Sequence, residues 1–312
     1  MAWSTSQIPD LTGRVAVITG ANSGLGFAST RALARAGAHV VMATRNVERG
    51  TAARDAIQAD DPEASLEVAQ LDLASIASVK SAAASILATH PTIDILINNA
   101  GLMALPEQRT QDGFEMQFGV NHLGHWVLTA KLLPGILAAD DGRVVSVTSI
   151  ARLIGKPVDP DNPHLDGRYD PWRAYGQSKL ANYHFALGLQ RAFEKHGVGA
   201  KSNAAHPGVS RTNLQAHTAE EGGAGRSGAI SEWFVSKTGS EATEGALPQL
   251  RAATDPEVFG GELFAPRFIG RGAPVRRPLV RRPRLDRQIK SLWDVSVSET
   301  SVWFDFDAAI GV

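Results

Sequence analysis

Tyr175 and Lys179 stand four residues apart in Tyr175-Gly176-Gln177-Ser178-Lys179. Positions i and i+4 of a helix share a face, so this spacing sets a phenol beside an ammonium. A phenol of pKa about 10 exchanges protons poorly at neutral pH unless its anion is stabilised. A neighbouring ammonium stabilises that anion and lowers the pKa. The pair is therefore a candidate general acid/base, although the bare pattern is common and often only structural. A second candidate lies near the start. Gly20, Gly24 and Gly26 follow the apolar run Arg14–Thr19 and precede Phe27, Leu33 and Ala34, which recur at helical spacing. Strand, glycine turn and helix point backbone N–H groups at a phosphate. Gly20 permits the sharp turn, Gly24 keeps no Cβ against a pyrophosphate, and Gly26 lets the helix approach the strand. A plain structural turn is the competing reading.

The elements that must position these residues follow from the apolar pattern. Strands are expected at 14–19, 39–44, 66–71, 93–97, 143–148 and 199–205. Helical stretches are expected at 47–59, 76–87, 111–137 and 172–195, then at 241–251, with a short edge strand at 262–264. This alternation implies an α/β fold, a doubly wound parallel sheet with right-handed crossovers. Runs such as VVMAT and IDILI are apolar throughout, as helices on both faces require. The pattern breaks at 213–237, a glycine-rich stretch that reads as a lid or a disordered segment.

Composition narrows the function. The 312 residues are 43% hydrophobic and carry a formal net charge of −1, so no global field favours nucleic acid or an anionic membrane. There is no cysteine, which excludes disulfides, thiolate catalysis and cysteine-ligated metal. No His, Asp or Glu cluster has metal-ligand spacing along the sequence, and no metal is expected. His122 and His125 read as helix-surface or packing residues. The first residues, MAWSTSQIPDLTG, show no basic region followed by an apolar core, and no apolar run approaches the ~20 residues of a membrane span. The expectation is a soluble cytoplasmic protein without a membrane anchor.

The strings TGANSGLG, NNAG at 98–101, YGQSK at 175–179 and HPG at 206–208 stand in an order that resembles the short-chain dehydrogenase/reductase family, from about residue 10 to 265. The resemblance implies a single Rossmann-type domain over 10–268, including a lid near 213–238. It implies catalytic roles for Asn121, Ser149, Tyr175 and Lys179. Tyr175 would exchange a proton with the substrate oxygen. Lys179 would hold the nicotinamide ribose and depress the tyrosine pKa. Ser149 would hydrogen-bond the substrate oxygen, and Asn121 would hold a water that relays protons. The blander readings are that Ser149 caps a strand and Asn121 kinks a helix. Cofactor contacts would come from Gly20, Asn22, Ser23, Gly24, Leu25, Gly26, Arg45, Asp72, Leu73, Asn99, Ala100, Gly101, Tyr175, Lys179, Pro207, Gly208, Val209 and Thr212. Asp72 would meet the adenine amino group, or else cap a helix ahead of Ser75.

In a dinucleotide fold an acid at the end of the second strand meets the ribose 2′-OH, whereas arginine accommodates a 2′-phosphate. Here Thr44 takes that place and Arg45 follows. The reading is NADP, with NAD the alternative if Arg45 is only a solvated side chain. The expected activity is hydride transfer between nicotinamide and the alcohol or carbonyl of an apolar small molecule. A catalytically silent NADP-binding sensor or scaffold is the second reading.

Twenty-six positions separate Ser149 from Tyr175, about twice the family's common spacing. The insertion, 154–173, resembles the retinol dehydrogenase-like branch. Trp172 and Tyr169 are its expected wall residues on the substrate side. The segment 269–312 is a basic extension expected to pack on the same domain. Its arginines, Arg271, Arg276, Arg277, Arg281, Arg282, Arg284 and Arg287, read as a solvated extension or as a contact for an anionic or oligomeric partner. The resemblance also implies a homo-oligomer built through the two long helices.

Overall fold

A computed structural model describes residues 2–208, 241–268, 270–278 and 284–311. Val209, Thr212, Arg281, Arg282 and all of the expected lid lie outside the described residues. Eight strands form one sheet: β1 Val15–Thr19, β2 His39–Thr44, β3 Leu66–Gln70, β4 Ile95–Asn98, β5 Arg143–Val147, β6 Lys201–Ala205, β7 Leu263–Pro266 and β8 Pro274–Arg277. Their order is β3-β2-β1-β4-β5-β6-β7-β8. All neighbouring pairs are parallel except β7 and β8. The doubly wound parallel sheet is as expected.

The described helices are α1 Gly24–Arg35, α2 Val47–Asp60, α3 Ile76–Thr89, α4 Met116–Phe118, α5 Gly124–Leu137, α6 Pro171–Lys195, α7 Ala242–Thr254, α8 Leu285–Thr300 and α9 Phe306–Ile310. One core joins the sheet to α1, α2 and α7 through Leu33, Ile57 and Leu250. The other joins it to α3, α5, α6, α8 and α9 through Val79, Val127, Phe185, Leu292 and Phe306. Burial of both faces accounts for the unbroken apolar strands.

Three features differ from expectation. The helix expected from residue 111 starts at Met116, because Thr110 and Gly113 form a turn first. The Thr110 hydroxyl accepts from the Phe114 amide at 3.1 Å, and Arg109 bridges to Glu115. A π-helical segment, Gly119–Leu123, then interrupts the run into α5. The strand at 263–266 is not the sheet edge, because the arginine-rich segment adds β8 antiparallel to it. Arg277 donates to the Pro266 and Arg267 carbonyls at 2.7 and 2.6 Å, and Arg276 pairs with Glu262 at 3.2 Å. Proline and arginine suit an edge strand, where a missing donor and a charged side chain block further pairing.

The C-terminal helices lie over the two long ones, with α8 on α6 and α9 on α5. Trp126 of α5 is fully buried, and its indole donates to the Val302 carbonyl at 2.9 Å. Trp293 and Phe304 meet it edge-on at 4.8 and 4.9 Å. Within α5 only Lys131 and Pro134 are exposed. The long-helix face implied for an oligomer is thus covered on α5 by this chain's own C-terminal segment. Trp126→Ala should lower the stability by about 3–5 kcal/mol through lost burial and a residual cavity. Urea unfolding followed by far-ultraviolet circular dichroism measures this directly.

Candidate active site

The strand order reverses between β1 and β4, which opens a crevice at their carboxyl ends. Gly20 follows β1 with φ +66°, a conformation that other residues rarely adopt. A Cβ on Gly26 would fall 2.1 Å from the Gly20 carbonyl oxygen and 2.8 Å from Asn99 Nδ2. The position tolerates only glycine, and α1 sits directly against the turn. The first turn of α1 holds no acidic residue, and Ser23 makes no side-chain cap bond. The helix start therefore presents N–H groups without a competing anion, which fits a pyrophosphate.

Beneath this cradle lies a hydroxyl that the sequence reading missed. Thr19 Oγ1 accepts from the amides of Asn99 and Ala100, both at 2.9 Å. It also lies 2.8 Å from His125 Nε2. Nδ1 of His125 faces the Asn121 carbonyl at 3.0 Å, and that oxygen can only accept. The ring therefore carries its proton on Nδ1, and Nε2 accepts from Thr19. His125 is buried and its pKa falls to about 4, chiefly because burial disfavours the cation. Of the two readings for His122 and His125, packing holds and helix surface does not, since both are buried. The available signal was the i, i+4 spacing of His125 from Asn121.

Thr44 is buried under α2, where a Cβ on Gly50 would fall 2.7 Å from its hydroxyl. Arg45 is exposed beyond it, with no ion pair to another described residue. Asp72 accepts from the Ala74 amide at 2.9 Å, and Ser75 caps α3 in its place. Leu73 is buried, and Gly124 of α5 packs on it. Pro207 and Gly208 follow β6, where the Gly208 amide donates to His206 Nδ1 at 2.9 Å.

Helix α6 begins where Asp170 accepts from the Arg173 amide at 2.7 Å and Pro171 fills the first turn. This start sets Tyr175 and Lys179 on the buried side. The Ser149 side chain acts on the Tyr175 hydroxyl and favours its ionised form, and Lys179 Nζ lies 5.9 Å from the centre of the Tyr175 ring. Two bonds strap α6 to the end of β5. Thr148 Oγ1 donates to the Lys179 carbonyl at 2.6 Å, and Asn182 donates to the Val147 carbonyl at 3.0 Å. A Cβ on Gly101 would stand 3.0 Å from Asn121 Oδ1 and 3.1 Å from Lys179 Nζ, so these three line one wall.

Two properties of this group differ from expectation. The Tyr175 pKa is raised rather than lowered, because burial outweighs the opposing effect of Ser149. Burial also draws Lys179 down to about 8. The Asn121 amide is already committed. Its nitrogen donates to the Leu102 carbonyl and to Ser178 Oγ, both at 2.9 Å, and its oxygen accepts from the Leu102 amide at 2.7 Å. No side-chain donor of Asn121 remains for a water.

The insertion is clamped from both sides. Tyr169 donates to the Leu105 carbonyl at 2.7 Å and accepts from Gln117 at 3.1 Å. Tyr169 thus ties the insertion to the loop after Gly101. Trp172 stands edge-on to Tyr175 at 6.1 Å. The Glu115 amide donates to His164 Nδ1 at 3.2 Å, which leaves His164 Nε2 to donate to Glu299 of α8 at 2.9 Å.

A profile of the short chain dehydrogenase family matches residues 14–222, about two-thirds of the chain. The chain belongs to the short-chain dehydrogenase family. These are oxidoreductases of the CH–OH/C=O pair, and this chain falls in the retinol dehydrogenase-like branch. It is 41% identical to human retinol dehydrogenase 13 over 220 residues, 70% of this chain and 65% of that protein. It is 46% identical to mouse retinol dehydrogenase 12 over 205 residues, 65% of this chain and 62% of that protein. Mouse polyprenol dehydrogenase is 40% identical over 263 residues, 81% and 75% of the two chains. The chain thus spans less than two-thirds of the length of those two retinol dehydrogenases. A crystal structure of an uncharacterised protein from Mycobacterium paratuberculosis superposes with a TM-score of 0.79 at 37% identity, over 98% and 100% of the chains. A short-chain fold from Beutenbergia cavernae, described as a candidate gluconate 5-dehydrogenase with bound NADP, gives 0.64 at 26% identity over 82% and 96%. No helix among the described residues of this short-chain dehydrogenase is long and apolar enough to cross a membrane.

The buried histidines set an acid limit on this short-chain dehydrogenase. The folded pKa values of about 3 for His122 and about 4 for His125 lie below the ordinary 6.5. Between these values the unfolded chain binds protons that the folded chain refuses. The stability is complete above pH 6.5 and falls as pH drops, by about 1.4 kcal/mol per pH unit for each histidine. Urea unfolding at stepped pH should show this slope, and His125→Gln should make it shallower.

Proposed function

We propose that this chain is an NADP(H)-dependent oxidoreductase interconverting an alcohol and its carbonyl on an apolar small molecule. The observation that carries the reading is the buried Tyr175, with Ser149 acting on its hydroxyl and Lys179 Nζ 5.9 Å from the centre of its ring. Gly20, Asn22, Ser23, Gly24, Leu25 and Gly26 would hold the dinucleotide pyrophosphate. Arg45 would meet a 2′-phosphate with its planar charged fork. Asp72 keeps one carboxylate oxygen for the adenine amino group. When bound, the nicotinamide supplies the hydride.

The chain's own residues handle the proton. The substrate oxygen would be held between Ser149 Oγ and the Tyr175 hydroxyl. Burial keeps Tyr175 protonated at neutral pH, so it enters carbonyl reduction as a ready general acid. Once the proton has left, the phenolate needs a compensating charge. Lys179, with its pKa near 8, is mostly ammonium at pH 7 and provides it. Asn121 acts as a positioning residue that fixes the Leu102 backbone beside Lys179. An apolar approach is supported by Trp172 against Tyr175 and by exposed Ile150, Leu153 and Ile154 just after Ser149. Relatives named for retinol and polyprenol fit such a substrate.

NADPH oxidation against a panel of apolar aldehydes and ketones tests the reading. Tyr175→Phe should lower kcat by about 10²–10⁴ while dinucleotide binding, followed by fluorescence, is kept. Unchanged turnover in that variant would remove Tyr175 from the mechanism. Arg45→Ala should raise the KM for NADPH about tenfold or more and leave that for NADH as it was.

A further inference from the structure

Three side chains at the far end of the sheet converge without any part in the site above. His39 opens β2, Glu67 is the second residue of β3, and His90 closes α3. Val41 lies opposite Glu67 in the parallel register, so His39 and Glu67 share a face one step apart. His90 Nε2 lies 3.0 Å from Glu67 Oε1, and His39 Nε2 lies 3.7 Å from Glu67 Oε2. The imidazole rings are 4.8 Å apart, tilted by 34°. A ligand atom from each residue lies within 4.8 Å of the other two.

The hydrogen bonding of this group is incomplete. His39 Nδ1 is tied to Ser65 Oγ at 2.7 Å, which fixes the ring. The serine hydroxyl can donate or accept there, and in the tautomer with Nδ1 protonated Nε2 carries a lone pair. That nitrogen is buried and has no hydrogen-bond partner among the described residues. It faces a carboxylate oxygen across a gap too long for a hydrogen bond. In that tautomer the nitrogen and the carboxylate oxygen repel unless a cation stands between them. His90 and Glu67 are the charged or titratable groups that act on His39, and burial keeps His39 toward its neutral form.

We propose that His39, Glu67 and His90 bind a divalent transition cation of the zinc type, with solvent in the remaining position. Two imidazoles and a carboxylate are a zinc ligand set, and Ser65 is the outer partner that orients His39. Tetrahedral ligands at about 2.0–2.1 Å from zinc stand roughly 3.3 Å apart, so the widest pair closes by about 1.5 Å or less through side-chain rotation. Coordination through His90 Nε2 shifts that ring's proton to Nδ1. Glu67 also lines an open groove of about 500 Å³ between β3 and α3, which gives the ion a route from solvent. The ion ties edge strand β3 and the end of α3 to β2. Its place at the amino ends of the strands, opposite Gly20 and Tyr175, makes it a stabilising site rather than a catalytic one. The sequence spacing concealed it, because its three ligands come from three elements.

The test uses the full chain without an affinity tag, stripped with a chelator and titrated with Zn²⁺ by calorimetry. One equivalent should bind at about pH 7.5. The melting temperature should rise with Zn²⁺ concentration. Co²⁺ should give the visible absorption of a four-coordinate site. His39→Asn with His90→Gln should abolish the stoichiometric binding and the Co²⁺ spectrum, while circular dichroism reports that the variant is folded. No binding at about 100 μM Zn²⁺ would overturn the proposal, as would one equivalent retained in the folded double variant. Should the double variant not fold, Glu67→Gln alone decides: affinity reduced at least about tenfold supports the site, and unchanged affinity overturns it.

Discussion

One buried hydroxyl joins the parts of this molecule that must agree. Thr19 ends β1, and its oxygen accepts two amides from the turn after β4 while donating to His125 of α5. The glycine bend, the Asn99–Ala100 turn and the π-helical segment are therefore held in one register. Each of those amides would cost about 1–3 kcal/mol if buried without a partner. His125 can fill this role only while neutral and with its proton on Nδ1. Burial enforces the first condition and the Asn121 carbonyl enforces the second. The glycine bend at the end of β1 is thus braced by the chain's own side chains.

Burial acts in opposite senses on Tyr175 and Lys179. It raises the pKa of the phenol and lowers that of the ammonium to about 8, so the two values move apart. Tyr175 therefore keeps its proton at neutral pH, while Lys179 is brought nearer to neutral. Lys179 Nζ has one long contact, 3.3 Å to the Val147 carbonyl, so its charge is not spent on a structural ion pair. Packing of α6 against β5, rather than any single bond, keeps this cation behind the ring.

The motifs were readable because each answers a local demand. Gly20 marks a left-handed turn and Gly26 a place where a Cβ cannot fit, and Tyr175 and Lys179 keep helical spacing; no partner need be known to see either. The rest depends on meetings between distant segments. Thr19 looks like the last residue of an apolar strand, and His125 like one more residue in a packed helix. Their bond spans more than a hundred positions and leaves no periodic trace. The segment at 274–277 was obscured by its own composition, since proline and arginine argue against a central strand but suit an edge. Trp172 stands beside Tyr175 as a wall residue should, whereas the Tyr169 hydroxyl ties down the loop after Gly101 instead.

The C-terminal segment and the insertion work as one buttress. Glu299 of α8 holds His164 of the insertion, and His164 receives the amide of Glu115 where α4 begins. Glu115 is buried, with its pKa pushed up to about 6 by desolvation, yet its carboxylate accepts the Gln117 and Phe118 amides at 2.9 and 2.6 Å. Gln117 in turn accepts from the amide of Ala104, which is held at φ +49°. A non-glycine residue there costs of order 1–3 kcal/mol and persists only when its surroundings over-determine it. The chain of contacts from α8 through His164, Glu115 and Gln117 supplies that constraint. It ends beside Leu102 and Asn121, on the wall that Lys179 shares. A helix that resembles a surface extension therefore bears on the geometry around Tyr175, although it touches none of the reacting groups.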